Sequence, residues 1–185
     1  VENYISAIAL ISDQISLDQF ESIRSNTIKL PQGRGEILRL RVGNILIDFA
    51  HDHQSIQNIL SELANYYDEI ILVFGCGGDR DRSKRSKMMK VAQDFASKVF
   101  FTSDNNRNES FASIAKDAMV GNSYTSIKIL EDRQEAISLA LQCLNKENIL
   151  VILGKGHETY MDVSGKKVPF NDKDCVLEIL GNEIN

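Results

Sequence analysis

The sequence predicts an α/β fold in which a mostly parallel sheet carries helices on both faces. Beyond residue 35, strand-like and helix-like segments alternate along the chain, which is typical of βαβ units. Two segments, 70–74 and 149–153, are continuously apolar, as are strands buried on both faces of a parallel sheet. Apolar residues make up 43% of the 185 residues and charged residues 25%, the composition of an ordinary globular protein.

A linker separates the first predicted element from the others. Residues 1–24 have apolar side chains at helical spacing, and 30–35 contain a proline and two glycines, which are typical of a linker. We therefore predict a domain boundary that separates 1–32 from 33–185.

The elements beyond the linker follow from hydrophobic periodicity. The predicted strands are 36–41, 45–49, 70–74, 98–102, 126–130 and 149–153. The predicted helices are 54–67, 83–96, 110–119, 133–145 and 171–180. Gly43-Asn44 and 164–167 predict hairpin turns, and Asp132 with Glu135 predicts a capping box at a helix start.

Charge, hydropathy and cysteine content exclude several classes of protein. The net charge of −5 argues against binding of nucleic acid by the whole surface. No apolar run approaches the roughly 18 residues that a membrane-spanning helix needs. The odd number and wide spacing of the cysteines, Cys76, Cys143 and Cys175, fit neither a disulfide framework nor a CxxC metal site. We therefore expect no membrane partner and a reducing, cytoplasmic location.

In parallel sheets ligands bind beyond the carboxyl ends of the strands, so the loops after the strands are the candidate sites. The first such loop carries Asp48, His51 and His53. These side chains could hold a metal ion, contact a nucleotide or phosphate, or simply form a polar strand end with a helix N-cap. The residues alone leave the three interpretations open.

The second loop, 75–82, is rich in glycine, which lets the backbone approach a ligand closely. Arg80, Arg82, Lys84 and Arg85 follow at the start of a predicted helix, where cations oppose the helix dipole. This local positive charge on an acidic protein indicates an anionic ligand, although a solvated basic helix start gives the same pattern.

The third loop holds Asp104, Asn105 and Arg107, which together could recognise both charges of a zwitterion or form a plain polar turn. The fourth loop, 154–159, contains a lysine between two glycines, followed by a histidine and a glutamate. It lacks the spacing of a Walker A loop. We expect these loops to converge on one site.

Five segments in this order resemble the C-terminal domain of the Mur ligases, and the resemblance covers nearly the whole chain. They are Gly33-Arg-Gly-Glu36, Asp48-Phe-Ala-His51, Val73-Phe-Gly-Cys-Gly-Gly-Asp-Arg-Asp81 with Lys84-Arg85, Asp104-Asn-Asn-Arg107 and Gly154-Lys-Gly-His-Glu158. In addition, residues 3–8 resemble the last helix of the family's central domain.

The resemblance implies a Rossmann-like Mur ligase C-terminal domain and a role in peptidoglycan synthesis. In that family a carboxylate is phosphorylated by ATP with Mg²⁺, and an incoming amine attacks the acyl phosphate. The pattern of the third loop goes with members that add meso-diaminopimelate to UDP-MurNAc-L-Ala-D-Glu. Lysine lacks the distal carboxylate of diaminopimelate, so an unpaired arginine would disfavour it.

The resemblance also implies which residues bind which ligand. Diaminopimelate is expected at Arg80, Asp104, Asn105, Arg107, Gly154 and Glu158. The nucleotide is expected near Arg34, Asp48 and His51. No metal ligand and no catalytic residue is assigned in this domain alone.

Two segments depart from the family pattern. Asn106 replaces a proline, which we expect to loosen the third loop, and Asp52-His53 replaces Asn/Thr-Pro, which adds a carboxylate near the expected nucleotide. The sequence contains no Walker A loop, so we expect a C-terminal part of a longer ligase that is inactive alone and works with the remaining domains.

Alternative functions are a divergent Mur-like domain that binds a zwitterionic metabolite or a partner without catalysis, and a lysine-adding ligase. A metal-dependent hydrolase around Asp48, His51 and His53 is a further alternative.

Overall fold

A computed structural model describes residues 32–123 and 125–181, which belong to one compact unit, 31–185. The strands are β1 (Glu36–Arg39), β2 (Asn44–Asp48), β3 (Ile70–Cys76), β4 (Lys98–Ser103), β5 (Ile127–Leu130), β6 (Ile149–Leu153), β7 (Tyr160–Val163) and β8 (Lys166–Pro169). The helices are α1 (His53–Leu63), α2 (Ser83–Phe95), α3 (Phe111–Ala118), α4 (Arg133–Leu141) and α5 (Asp172–Leu180). The helix expected over 1–24 lies outside the described residues, and the predicted division at 32/33 stays a prediction.

The main sheet has six strands in the order β1-β2-β6-β3-β4-β5. Strand β1 is antiparallel to β2, and every other neighbouring pair is parallel. The predicted mostly parallel sheet is therefore confirmed. The first hairpin also forms, but its turn lies at 40–43 and not at Gly43-Asn44, because Asn44 already pairs with Arg39 in the sheet. Strands β7 and β8 form a separate hairpin whose turn residues, Ser164 and Gly165, have φ of 53° and 75°. Positive φ at both positions is what a type I′ turn requires.

Helices cover both faces of the sheet, as predicted, because side chains alternate along each buried strand. Leu72 and Phe74 of β3 pack in a core with α1, α2 and α3. Their neighbours Ile71 and Val73 pack in a second core with α4 and α5. Among the described residues, no helix is both long and apolar enough to cross a membrane.

Two helices end before their predicted boundaries. Helix α1 ends at Leu63 and α4 at Leu141, whereas the periodicity extended them to 67 and 145. In both cases the chain continues in tight turns: the amides of Tyr66 and Leu144 bond to carbonyls three residues back. Because apolar residues are spaced similarly in such turns and in the last turn of an α-helix, the periodicity placed both helix ends too late.

The helix caps also differ in part from the prediction. The Asp132 side chain caps α4 by accepting the amides of Gln134 and Glu135, but no reciprocal bond is present from the Asp132 amide to the Glu135 carboxylate. The complete capping box lies in α1, where Asp52 accepts the amide of Ser55 and the Ser55 side chain accepts the amide of Asp52.

Candidate functional site

The loops after β2, β3, β4 and β6 surround one cavity of about 430 Å³ at the carboxyl edge of the sheet. This arrangement follows from the parallel strand order, which brings those strand ends together. The cavity is lined by Phe49, His51, Gly75, Cys76, Gly77, Arg80, Asp81, Lys84, Arg85, Met88, Asp104, Asn105, Arg107, Gly154 and Glu158. All six residues predicted to bind the amino acid are in this set, and of the three predicted to contact a nucleotide only His51 is.

Groups of both charges face this cavity. Asp81, Asp104 and Glu158 line it together with Arg80, Arg85 and Arg107. Lys84, from the first turn of α2, adds a further cation to the lining. Such an arrangement can pair with the ammonium and the carboxylate groups of one ligand at the same time.

Asp104 is held close to the backbone of the fourth loop. It is 6% exposed, and its Oδ1 accepts the amide of Asn105 at 2.6 Å. Gly154 has φ of 109°, and a Cβ there would lie 2.5 Å from Asp104 Oδ2. A larger residue at Gly154 would therefore be strained and would displace the Asp104 carboxylate.

The side chain of Asn105 connects three segments of the protein. Its Nδ2 donates to Glu158 Oε2 at 2.8 Å, and its Oδ1 accepts the amide of Asp162 in β7 at 2.8 Å. Its backbone carbonyl accepts the amide of Gly78 at 2.9 Å. With these bonds made, Asn105 holds the cavity wall in place and orients Glu158.

Arg107 is in the left-handed region, with φ of 50°. Its backbone amide donates to Asp162 and its carbonyl accepts the amide of Ser164, so hairpin β7–β8 keeps this conformation in place. The guanidinium Nη1 donates to Gly78 O at 2.7 Å. A non-glycine residue in this region costs about 1–3 kcal/mol and is typical of functional sites.

A buried arginine ties the second loop to the third. Arg85 is 1% exposed and donates to both carboxylate oxygens of Glu109, to Asp117 and to Gly77 O. Glu109 in turn accepts the amide of Asp79 at 2.7 Å. Hydrogen bonds from Arg85, opposed by partial burial, lower the pKa of Glu109 to about 2. The network fixes the spacing between the two loops.

A second buried arginine ties the third loop to the fourth. Arg133 and Asp172 are both fully buried and share two hydrogen bonds, at 2.7 and 2.9 Å. The guanidinium also donates to Ser103 O and Leu153 O, at the ends of β4 and β6. Although burial alone would lower the pKa of Arg133, the Asp172 carboxylate raises it. The ion pair therefore anchors two strand ends that border the cavity.

The linker packs on the first and fourth loops. The Asp48 carboxylate accepts the amides of Gly35 and Ala50, each at 2.7 Å. Arg34 lies over the Phe49 ring, 4.3 Å from its centroid. A Cβ at Gly33 would overlap the backbone of Gly156. Both oxygens of Asp48 thus hold backbone amides, and its expected contact with a nucleotide stays a prediction.

Both departures from the family pattern have a structural role. Asp52 caps α1, and hydrogen bonds from Ser55, opposed by partial burial, lower its pKa. Asn106 is 6% exposed and its Nδ2 donates to Ser103 Oγ at 3.0 Å, while its carbonyl accepts the amide of Glu109. We expected Asn106 to loosen this loop; the structure instead shows its side chain and backbone bonded within it.

The metal-site interpretation gains no support. Within 32–123 and 125–181, no three His, Cys, Asp or Glu side chains are grouped so as to hold a metal ion. Asp48 has the backbone partners described above, and His51 Nδ1 lies 3.0 Å from Phe49 O.

Cys76 lines the cavity but is buried, and this burial raises the pKa of its thiol to about 12. Such a thiol is a weak nucleophile at neutral pH.

Sequence reasoning missed the buried cations that support the site. Lys155 is fully buried, and Nζ donates to Glu158 Oε2 at 2.8 Å. Its place in the glycine-rich loop after a strand was a usable signal. Arg133 had no such signal, because a single arginine at a helix start gives no indication that it is buried.

The order of the loops and their contents match known proteins. Residues 33–156 match the family model described as Mur ligase, glutamate ligase domain. A protein of Rickettsia typhi named UDP-N-acetylmuramoyl-L-alanyl-D-glutamate--2,6-diaminopimelate ligase is 36% identical over 165 residues, which cover 88% of this chain and 34% of that protein. A protein of the same name from Caldanaerobacter subterraneus subsp. tengcongensis is 42% identical over 139 residues, covering 74% of this chain and 29% of that protein.

A solved structure supports the same relationship. A structure of UDP-N-acetylmuramoyl-L-alanyl-D-glutamate--2,6-diaminopimelate ligase superposes with a TM-score of 0.77 at 32% identity, over 94% of this chain and 36% of that one. The chain thus spans about a third of the length of these relatives. Since the family model spans most of the chain and includes the linker and the strands that border the cavity, the chain belongs to the Mur ligase family.

Proposed function

We propose that this chain is the amino-acid-binding C-terminal part of an ATP-dependent ligase that adds meso-diaminopimelate to UDP-MurNAc-L-Ala-D-Glu. The observation that carries the proposal is the charge pattern of the cavity, in which Asp104 and Glu158 face the same space as Arg80 and Arg107. The names of the relatives support the choice of substrate.

The charges suit a ligand with two ammonium and two carboxylate groups. Among the charged residues of the lining, Asp104 and Glu158 would bind the ammonium groups, and Arg80 and Arg107 would bind the carboxylates in bidentate fashion. Glu158 is suited to this role because its recorded hydrogen bonds, from Lys155 and Asn105, both fall on Oε2. In the described part of the chain, Oε1 accepts no further bond and remains available to a ligand.

We expect this chain to contribute little to the binding of ATP. When bound in such ligases, ATP with Mg²⁺ supplies the phosphoryl group that activates the acceptor carboxylate. Arg34 and His51 are exposed and beside Phe49, so they could hold phosphate or base, whereas the Asp48 oxygens hold backbone amides. The rest of the ligase is the proposed partner, and the cytoplasmic location stays a prediction.

Calorimetric titration of the full-length protein tests this proposal. With UDP-MurNAc-dipeptide and an unreactive ATP analogue present, meso-diaminopimelate is expected to bind and lysine is not. Arg107→Ala should weaken diaminopimelate binding by about 2–5 kcal/mol, the range for truncating one partner of a buried charge pair. Lys90→Met, which removes an exposed ion pair with Asp94, is the control and should leave binding unchanged.

The alternatives predict different results in the same titration. Equal binding of lysine would support a lysine-adding ligase. Failure of both amino acids to bind, or an unchanged affinity in Arg107→Ala, would contradict the proposal and favour a Mur-like domain that binds another zwitterion or a partner without catalysis.

A further inference from the structure

Lys155 stands behind the cavity wall, not in the cavity. It is fully buried and does not line the cavity, whereas its two hydrogen-bond partners, Asn105 and Glu158, do. Nζ lies 2.8 Å from Glu158 Oε2 and 3.4 Å from Asn105 Oδ1. Lys155 is therefore placed to act on a ligand in the cavity through these two side chains.

The three side chains form a closed triangle with one defined arrangement. Asn105 Nδ2 donates to the same Glu158 oxygen that accepts the Lys155 bond, at 2.8 Å. Asn105 Oδ1 faces two donors, Lys155 Nζ and the amide of Asp162, so the orientation of the amide group is fixed. Two donors on Oε2 hold the carboxylate plane, and this plane decides where Oε1 points.

The charge of Lys155 also matters to Glu158. Two other acidic residues, Asp81 and Asp104, line the same cavity. A like charge nearby disfavours the ionised form of a carboxyl group. Lys155 opposes this effect in direct contact, and the cations of the cavity lining are Arg80, Lys84, Arg85 and Arg107. Burial alone would raise the pKa of Glu158, but the hydrogen bonds from Lys155 and Asn105 lower it below its ordinary value.

Burying a lysine is costly for folding, and an apolar residue of similar size in its place often stabilises a protein. We propose that Lys155 is a positioning residue, which holds the Glu158 carboxylate ionised and oriented so that Oε1 receives the ammonium group of the incoming amino acid. This inference rests on the proposed function and adds to it the residue that sets the geometry of its ammonium-binding group.

Kinetics of the full-length protein test the inference. In Lys155→Met, the KM for meso-diaminopimelate is expected to rise roughly 10- to 100-fold, as for a binding group displaced from its productive position. The KM values for ATP and the UDP-dipeptide should change less than about twofold, because a positioning effect acts on one substrate only. Lys155→Arg should restore most of the affinity, and Lys90→Met, which removes an exposed lysine–carboxylate pair, should behave as wild type.

The pH dependence of the same KM is the readout that a merely structural role would not move. Without the lysine charge the pKa of Glu158 rises, so the acid limb of the profile moves to higher pH in Lys155→Met and stays in place in Lys155→Arg. Unchanged KM and an unmoved acid limb in folded Lys155→Met would overturn the inference. If that variant does not fold, Lys155→Gln, which keeps a donor but loses the charge, decides the question by the same shift.

Failure of the proposed function can be distinguished from failure of the inference about Lys155. If wild type adds no diaminopimelate, the proposed function fails, and the pKa of Glu158 is then followed by carboxyl-carbon NMR in wild type and Lys155→Gln without substrate. A higher pKa in the variant supports the positioning role, and an equal pKa refutes it.

Discussion

At the scale of single residues, Glu109 is the group on which the junction of the second and third loops depends. It accepts hydrogen bonds from Arg85 and from the amide of Asp79, and Arg82 lies 3.0 Å from its Oε2. With its pKa lowered to about 2, the carboxylate stays ionised in the folded protein well below the pH at which it protonates in the unfolded chain. Linkage then requires that it stabilise the fold above about pH 5.

We expect Glu109→Gln to lower the free energy of unfolding at neutral pH by about 1.5–3 kcal/mol, the range for a hydrogen bond to a charged group. Since the folded pKa is depressed, the contribution of Glu109 is lost as pH falls from about 5 to 2. Urea unfolding at several pH values should therefore give a flatter acid limb for the variant. Asp94→Asn, which breaks an exposed pair, is the control. Parallel acid limbs for Glu109→Gln and wild type would refute the assignment.

At the scale of elements, one buried ion pair joins two helices to two strand ends. Arg133 begins α4 and Asp172 begins α5, while the guanidinium also bonds to the last residues of β4 and β6. Neither side chain is exposed. The helices of the second core are thereby fixed to the cavity edge, so packing on this face influences loops that are distant in sequence.

Asp172→Ala should destabilise the protein by about 3–5 kcal/mol, because it leaves the Arg133 guanidinium buried without a counter-charge. The double variant Arg133→Met/Asp172→Ala should recover part of this loss, since it removes the uncompensated charge. Both values come from urea unfolding at neutral pH. If the double variant were less stable than Asp172→Ala by the full cost of Arg133→Met, the two residues would act independently, contrary to the structure.

At the scale of the whole molecule, local sequence patterns predicted the helices and strands. They could not predict the strand order or the buried cations, because these depend on contacts between distant segments. The apolar runs 70–74 and 149–153 are central strands, as expected. Their adjacency, with β6 between β2 and β3, depends on contacts between distant segments, which periodicity does not encode. Likewise, motif resemblance placed Asp104 and Glu158 at one site, but the burial of Lys155 and Arg133 depends on neighbours from other loops.

The sheet also predicts how the molecule unfolds, because its central strands contribute to both cores. Leu72 is 0% and Ile71 1% exposed, and these neighbours in β3 pack on opposite faces. We expect Leu72→Ala and Ile71→Ala each to cost about 2–5 kcal/mol. Within each protein, whether wild type or variant, the methyl NMR signals of the two cores should disappear at the same urea concentration. Loss of one core before the other in Ile71→Ala would show instead that the two faces unfold separately.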